Sequence, residues 1–129
     1  LSDLRILYKL LQMRTSQTNI SHKKMPTFSE HKKFILSNPY LIWYIIKLGS
    51  KKIGSIYLSK QNEIGIFILE QFQDSGIGNT SLKLLINKNP ASRYLANVNP
   101  QNKKSAKFFK KNGFKLIQHT YELFWEEDK

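Results

Sequence analysis

Three apolar, β-rich runs follow one another in the middle of the chain, and their spacing constrains the fold more than any other feature. They are "YLIWYIIKL" (residues 40–48), "KIGSIYLSK" (52–60) and "EIGIFILE" (63–70), separated only by "GSK" and "QN". Connectors this short join antiparallel neighbours, because parallel strands need a crossover of a dozen or more residues. The sequence therefore predicts a three-stranded antiparallel meander.

Helical periodicity lies on both sides of this meander. Leu4, Leu7 and Leu11 share one helical face and predict a helix over 3–13, and the capping-box pair Thr27 and Glu30 predicts a second helix over 27–37. Further patterns predict a helix over 76–89, a strand over 92–98, a helix over 100–113 and a final extended segment over 114–125. The order α-α-β-β-β-α-β-α-β indicates an α+β (α/β) fold in a single domain, residues 1–129. Because the chain begins with Leu1, a first strand can precede it.

The composition narrows the chemistry that is available. There is no cysteine, which excludes disulfides, thiolate metal sites and a cysteine nucleophile, and the histidine spacing predicts no metal site. The longest apolar run, "LIWYII", is far shorter than the roughly 20 residues of a membrane span, so we expect a soluble, cytoplasmic protein with no membrane partner.

The formal charge of +12 raises the question of nucleic acid. Nearly all of the basic residues are lysines, whereas base-reading sites favour the bidentate fork of arginine. We therefore interpret the charge first as solubilisation, second as attraction for a phosphorylated small ligand, and last as nucleic-acid binding, which the scarcity of arginine disfavours.

Two glycines, Gly76 and Gly78, stand between a strand and a helix in "FILEQFQDSGIGNTSLKLLINK". A glycine turn at a helix N-terminus leaves main-chain amides unpaired and accessible, next to the positive end of the helix dipole. Together these features favour the binding of phosphate. A Walker A loop would need lysine and a hydroxyl where Asn79 and Thr80 stand, and a dinucleotide fingerprint would need glycine in place of Ser81. Neither pattern fits.

A third pattern, Q/R-x-x-G-x-G/A, is satisfied by Gln73 to Gly78. It resembles the pyrophosphate loop of the GNAT N-acetyltransferase superfamily. The later stretch "NKKSAKFFKKNGF", from Asn102 to Phe114, is similar to a second signature of that superfamily, N-x-x-S/A-x-x-x-Y/F-x-x-x-G-F. With the matching element order, the resemblance covers nearly the whole chain.

The resemblance implies a mostly antiparallel, twisted central sheet flanked by helices, with central strands that splay apart to admit acetyl-coenzyme A (acetyl-CoA). On this basis we expect main-chain groups of Phe67, Ile68 and Leu69 to hold the pantetheine and the thioester carbonyl. The residues expected at the rest of the cofactor are Gln73, Asp74, Ser75, Gly76, Ile77, Gly78, Asn79, Asn102, Ser105 and Phe109.

The chain departs from the superfamily pattern at two places. Asp74 and Ser75 stand where a glycine and a basic residue are common, and Lys103, Lys104 or Lys107 are candidates to compensate. Phe109 falls where many members have a tyrosine that protonates the departing thiolate. Tyr44, Tyr57, Tyr94 or a water molecule is then left to supply that proton, unless the thiolate leaves unassisted.

The implied reaction is direct acetyl transfer to a primary amine in a ternary complex, with Glu63 as the candidate base. The stretch "MRTSQTNISHKKMPTFSEH" is similar to bacterial amino-sugar and ribosomal-protein acetyltransferases, which makes Arg14, His22 and His31 candidates for binding the acceptor. We rank a nucleotide-linked amino sugar or other small amine first and a protein N-terminus second. The alternative from another class is a non-catalytic domain that binds CoA or nucleic acid, and both a monomer and a homodimer stay open.

Overall fold

Four helices and one antiparallel sheet make up the described part of the chain, residues 3–14 and 26–125 of a computed structural model. The elements are α1 (Leu4–Arg14), α2 (Phe28–Leu36), β1 (Ile42–Leu48), β2 (Lys51–Leu58), β3 (Ile64–Ile68), α3 (Ile77–Lys88) and α4 (Lys103–Lys111), with a 3-10 turn at Glu70–Phe72. The three strands pair in the order β1-β2-β3, both pairs antiparallel. This confirms the predicted meander and the predicted helices on both sides of it.

Helix α2 begins as the capping box predicts. The Thr27 Oγ1 accepts a hydrogen bond from the Glu30 amide at 3.1 Å, and the Glu30 Oε1 accepts one from the Thr27 amide at 2.8 Å. Each side chain satisfies a main-chain donor that the first helical turn leaves without a partner. The start of this helix is therefore encoded within four residues.

The predicted strand over 92–98 forms only a single bridge to the sheet. Leu95 lies parallel to Glu63: the Leu95 amide donates to the Asn62 carbonyl at 2.9 Å, and the Ile64 amide donates to the Leu95 carbonyl at 2.7 Å. The expectation of a regular strand here was wrong, because the chain diverges from β3 directly after this bridge. The divergence is the splay that the family resemblance implied.

Each face of the sheet packs against its own pair of helices. On one face Ile53, Leu58, Leu82 and Leu85, all nearly inaccessible to solvent, form a core with α3 and α4. On the other face α1 and α2 pack through a second cluster that includes Leu10 and Leu69. The gap beyond Leu95 therefore lies between two packed layers.

Residues 114–125, predicted to be extended, pair with no strand in the described part of the chain. Phe114 still packs on the core, but the residues that follow are exposed. In residues 3–14 and 26–125, no helix is both long and apolar enough to cross a membrane.

Candidate active site

A cavity of about 180 Å³ opens where β3 and residues 97–99 diverge. Pockets that enclose a whole drug-sized ligand usually measure about 300–1,000 Å³, so this one suits a narrow arm and a small reacting group. Its lining combines apolar and amide side chains from α1, β2, β3, the 97–99 segment and α4: Met13, Tyr57, Glu63, Ile64, Gly65, Ile66, Phe67, Ile68, Gln73, Asn97, Val98, Asn99, Asn102, Ser105 and Phe109.

The alternation of β3 decides which main-chain groups face this cavity. The Leu69 amide donates to the Ile53 carbonyl and the Ser59 amide donates to the Glu63 carbonyl, both at 2.8 Å, so the odd-numbered residues pair with β2. Successive residues of a strand point their main-chain groups to opposite edges. Ile66 and Ile68 therefore turn their amide and carbonyl groups toward the gap.

This alternation revises the expected pantetheine contacts. Phe67 and Leu69 present their main-chain groups to β2, and the Leu69 carbonyl also accepts a hydrogen bond from the Phe72 amide at 2.9 Å. Phe67 still lines the cavity through its side chain, whereas Leu69 lies in the core beneath α1. Ile68 turns its main-chain groups toward the gap, and so does Ile66, which the sequence prediction did not include.

The loop after β3 leads directly into the N-terminus of α3. Gly76, the residue before the helix, has φ +85°, and no side chain caps the first turn. The first main-chain bond of the helix runs from the Thr80 amide to the Gly76 carbonyl, at 3.1 Å. The amides of Ile77, Gly78 and Asn79 therefore point out of the helix end, where an anion would meet the positive end of the dipole.

The two glycines of the loop are required for different structural reasons. Gly76 needs its left-handed conformation, which costs other residues about 1–2 kcal/mol. At Gly78 a Cβ would lie 3.0 Å from the Phe108 ring, so its absence allows α3 to pack closely against α4. The sequence pattern found both positions, but the packing role of Gly78 depends on a helix 30 residues away.

Lys104 supplies a positive charge at the loop. Its Nζ lies 3.1 Å from the Asp74 Oδ2 and donates to the Gln73 Oε1 at 2.8 Å. The Gln73 Nε2 in turn donates to the Ile68 carbonyl at 2.8 Å, so one side chain connects the end of β3 to α4. Three lysines were candidates to compensate for the negative charge of Asp74. These contacts place Lys104 at the loop.

Helix α4 forms the far wall of the cavity. The Asn102 Oδ1 accepts from the Ser105 amide at 3.1 Å and so caps the helix, and the Asn112 Nδ2 donates to the Asn79 Oδ1 at 2.9 Å. Asn102, Ser105 and Phe109 all line the cavity, as expected of cofactor contacts. Asp74 and Ser75 are exposed, and the Ser75 hydroxyl donates to the Phe72 carbonyl.

Glu63 lies at the mouth of the cavity, where β3 begins. The Ser59 hydroxyl accepts from the Glu63 amide at 2.9 Å and lies 3.4 Å from the Glu63 Oε1. Successive residues of a strand point their side chains to opposite faces of the sheet. Glu63, Gly65 and Phe67 therefore share one face, which is covered by α1, and the residues between them face α3. The carboxylate therefore stands on the side of the sheet opposite the phosphate loop.

Of the three tyrosines proposed as thiolate acids, Tyr57 lines the cavity. Its ring lies over Gly65, where a Cβ would overlap it, and stacks on Tyr40 with centroids 3.7 Å apart. The Tyr94 hydroxyl instead donates to the Asn89 carbonyl at 2.6 Å, and the Tyr44 hydroxyl lies 3.5 Å from the Asn89 Nδ2. Neither Tyr44 nor Tyr94 is among the lining residues.

The expected acceptor residues fall in three different situations. His31 is buried between α1 and α2, where its ring lies 5.6 Å from that of Tyr8 and 6.3 Å from that of Phe34, and it does not line the cavity. Arg14 ends α1 next to the lining residue Met13, but its side chain is not described. His22 lies outside the described residues.

The acetyltransferase (GNAT) family model matches residues 7–114, which include the loop, the cavity and α4. The chain belongs to the GNAT acetyltransferase family. This identifies it as an acetyltransferase and makes acetyl-CoA the donor that the family uses. A search of curated protein sequences found no match.

Solved structures with the same fold include a domain from Methanocaldococcus jannaschii, which has a TM-score of 0.80 and 23% identity over 94% of this chain and 87% of that one. The ribosomal-protein-alanine N-acetyltransferase from Brucella melitensis has a TM-score of 0.70 and 15% identity over 88% and 80%. The microcin C7 self-immunity acetyltransferase MccE, solved with acetyl-CoA and AMP, has a TM-score of 0.65 and 20% identity over 88% and 73%. At these identities the similarity concerns the fold.

The residues of the cavity fit the GNAT donor. The uncapped end of α3 offers amides to a pyrophosphate, and the Ile66 amide and carbonyl and the Ile68 amide are available to a polar arm in the gap. The Ile68 carbonyl is already occupied by Gln73. Asn97 and Asn99, which the motif did not include, add amide side chains to the same wall.

Gly76→Ala tests the loop against a matched glycine far from it. Gly49, in the β1–β2 turn, also has a positive φ, +64°, and a Cβ at either position would have open space. We expect both Gly76→Ala and Gly49→Ala to lower the free energy of unfolding by about 1–2 kcal/mol in urea denaturation.

Only Gly76→Ala should weaken acetyl-CoA binding in a calorimetric titration, by about tenfold, because strain at this residue turns the amides of α3 away from the phosphates. A single-stranded oligonucleotide is the control polyanion. Unchanged acetyl-CoA affinity in Gly76→Ala would contradict the phosphate-binding role of the loop.

Proposed function

We propose that the protein acetylates the primary amine of a small molecule, with a nucleotide-linked amino sugar as the first candidate, by direct transfer in a ternary complex. The observation that carries the proposal is the cavity itself. It brings unpaired main-chain groups at the edge of β3 together with Glu63 and Tyr57, which belong to the same lining. An amine entering from the α1 side would meet the acetyl group within the gap.

The chain's own groups fit the needs of this reaction. Bound acetyl-CoA would supply an acetyl group as a thioester, whose carbon the amine attacks as the carbon–sulfur bond breaks. An amide donor aimed at the carbonyl oxygen stabilises the negative charge that develops there, and the Ile66 and Ile68 amides are positioned in the gap for this role. No cysteine is available for an acyl-enzyme, which favours direct attack.

Glu63 is our candidate for the base that removes a proton from the ammonium form of the acceptor. Glu63 belongs to the lining, and the Ser59 hydroxyl lies 3.4 Å from its Oε1. Amines are mostly protonated near neutral pH, so a positioned general base typically raises the rate by about 10²–10⁴-fold.

Tyr57 is our candidate for the group that returns a proton to the departing thiolate. Phe109 occupies the position from which many family members donate this proton, and its ring has no donor. Tyr57 is the one of the three tyrosines considered whose ring lines the cavity, and stacking on Tyr40 fixes the plane of that ring.

Two observations support the ranking of acceptors. The formal charge of +12 attracts an acceptor that carries a diphosphate close to the transferred group. Similarity to MccE, solved with AMP, supports room for a nucleotide in this fold, and similarity to the ribosomal-protein-alanine enzyme supports a peptide N-terminus as the second candidate.

An acceptor panel tests the proposed substrate class. Released thiol is measured with acetyl-CoA and a nucleotide-linked amino sugar, the free amino sugar, or a peptide with an N-terminal alanine. We expect the nucleotide-linked sugar to give the highest kcat/KM. Turnover of the peptide alone would establish the second acceptor class. Saturable acetyl-CoA binding without turnover of any amine would indicate the non-catalytic alternative.

Glu63→Gln removes the base and keeps the size of the side chain. We expect kcat near neutral pH to fall by about 10²-fold or more, while acetyl-CoA affinity stays within about twofold of wild type. Exposed Glu70→Gln, which makes the same change in charge outside the lining, is the control and should retain wild-type kcat. Equal rates for the two variants would remove Glu63 as the base.

Tyr57→Phe keeps the stacked ring and removes only the hydroxyl. We expect kcat to fall by about 10-fold to 100-fold with little change in the KM for either substrate, because the lost interaction is made as the thiolate leaves. Tyr44→Phe, outside the lining, should have wild-type kcat. If Tyr57→Phe turns over at the wild-type rate, water or unassisted departure takes the place of the tyrosine.

A further inference from the structure

The side chain of Tyr57 reaches the cavity from a strand that does not border it. The strand order is β1-β2-β3 and the gap opens beyond β3, so β3 lies between Tyr57 on β2 and the gap. Neighbouring strands are about 4.8 Å apart. The Tyr57 side chain therefore crosses the width of one strand before it lines the cavity, and the residue that it crosses must leave room for it.

Gly65 leaves that room. It is buried and is the cross-strand partner of Tyr57. A Cβ at Gly65 would overlap two carbons of the Tyr57 ring and would lie 2.5 Å from the hydroxyl oxygen. The hydroxyl end of Tyr57 thus occupies the space in which a side chain at position 65 would stand. Because Gly65 itself lines the cavity, this space is at the rim of the gap.

The backbone conformation gives no other reason for a glycine at this position. Gly49, Gly76 and Gly113 have positive φ, whereas Gly65 has an ordinary strand conformation and pairs regularly with β2. A glycine inside a strand weakens it and often marks the close approach of another group. The group that approaches Gly65 is the ring of Tyr57.

The place that the hydroxyl occupies is next to the candidate base. Glu63 and Gly65 are two residues apart along β3 and share one face of the sheet, and such positions are separated by about 7 Å. The Tyr57 hydroxyl, in the place of a side chain at position 65, and the Glu63 side chain therefore follow each other along the same rim of the cavity. This interval leaves room for the reacting group between an acid and a base.

Aromatic neighbours hold the Tyr57 ring in this place. The Tyr40 ring stacks on it with centroids 3.7 Å apart and an interplanar angle of 2°. Trp43 and Phe34 in turn contact Tyr40 edge to face, at centroid distances of 4.8 Å and 6.0 Å. Rings packed in this way have few alternative rotamers. The position of the hydroxyl is therefore set by β1 and α2 as well as by Gly65.

We propose that Gly65 is a positioning residue for acetyl transfer: the absence of its side chain places the Tyr57 hydroxyl at the cavity, beside Glu63. The inference rests on the proposed role of Tyr57 as the proton donor to the thiolate. It adds that a tyrosine on β2 and a glycine on β3 supply this acid together, in a chain whose α4 carries Phe109 at the position of the usual tyrosine.

A double-mutant cycle in kcat tests this role. Gly65→Ala adds one methyl group where the hydroxyl end of Tyr57 lies and so displaces it. We expect kcat to fall by about 10-fold to 100-fold, as for Tyr57→Phe, because a misplacement of about 1 Å can cost about 10²-fold. When the two changes are combined, kcat should be no lower than in the slower single variant, since a displaced hydroxyl cannot be lost a second time. Acetyl-CoA affinity should stay within about twofold of wild type throughout.

A merely structural role for Gly65 gives a different result. An aromatic ring opposite a glycine also stabilises a sheet, so reduced stability of Gly65→Ala does not decide the question. Losses in kcat that multiply in the double variant, or a wild-type kcat in Gly65→Ala beside a slow Tyr57→Phe, would overturn the positioning role and leave Tyr57 as the acid. A wild-type kcat in Tyr57→Phe would remove the acid, and positioning for proton transfer with it.

NMR of wild type and Tyr57→Leu tests the geometry without turnover and without a change at Gly65. The ring current of Tyr57 should displace the Gly65 α-proton resonances from their ordinary range in wild type, and Tyr57→Leu should return them to it. Gly49, in the β1–β2 turn, is the control and should not respond. Gly65 resonances that are the same in both proteins would show that the ring is not held at this glycine, and would overturn the proposal whether or not an amine is acetylated.

Discussion

Two hydrogen bonds at Leu95 hold the last stretch of the sheet against β3, and the functional geometry depends on them. They fix residues 94–96 at the mouth of the cavity, and the absence of further pairing after them leaves the gap open. A longer ladder would fill the gap with main-chain hydrogen bonds. The candidate site is the gap that begins after the Glu63–Leu95 bridge and is bounded by the helices packed on either side of the sheet.

The glycine loop, residues 73–79, and α4 form one connected unit around this gap. Gln73 joins the Ile68 carbonyl to Lys104, and Asn112 joins the end of α4 to Asn79. Because the first turn of α3, the end of β3 and both ends of α4 are linked by hydrogen bonds, this side of the cavity is organised without a ligand. Preorganisation of this kind reduces the ordering that binding would otherwise require.

Features encoded within a few residues were predictable from the sequence, and those that depend on register or distant packing were not. The capping box of Thr27 and Glu30, the meander and the glycine loop are local patterns, and the structure contains all three. The main-chain groups that face the gap depend on the pairing of β3 with β2, which selects Ile66 and Ile68 over Phe67 and Leu69. The same pairing places Tyr57 over Gly65. His31 is an acceptor candidate through the family resemblance of its sequence stretch, but the aromatic packing of α1 on α2 buries it.

The uncapped first turn of α3 has a consequence for the lifetime of the protein. Because the N-cap of this helix is Gly76 and not a residue with a capping side chain, the helix forgoes roughly a few tenths of a kcal/mol of its own stabilisation. Acetyl-CoA bound at this turn, as proposed, would satisfy its amides and add a stabilising term that grows with acetyl-CoA concentration, about 2.7 kcal/mol at a hundred times Kd. The folded fraction of the chain, and with it its resistance to proteolysis, would then depend on the supply of this metabolite.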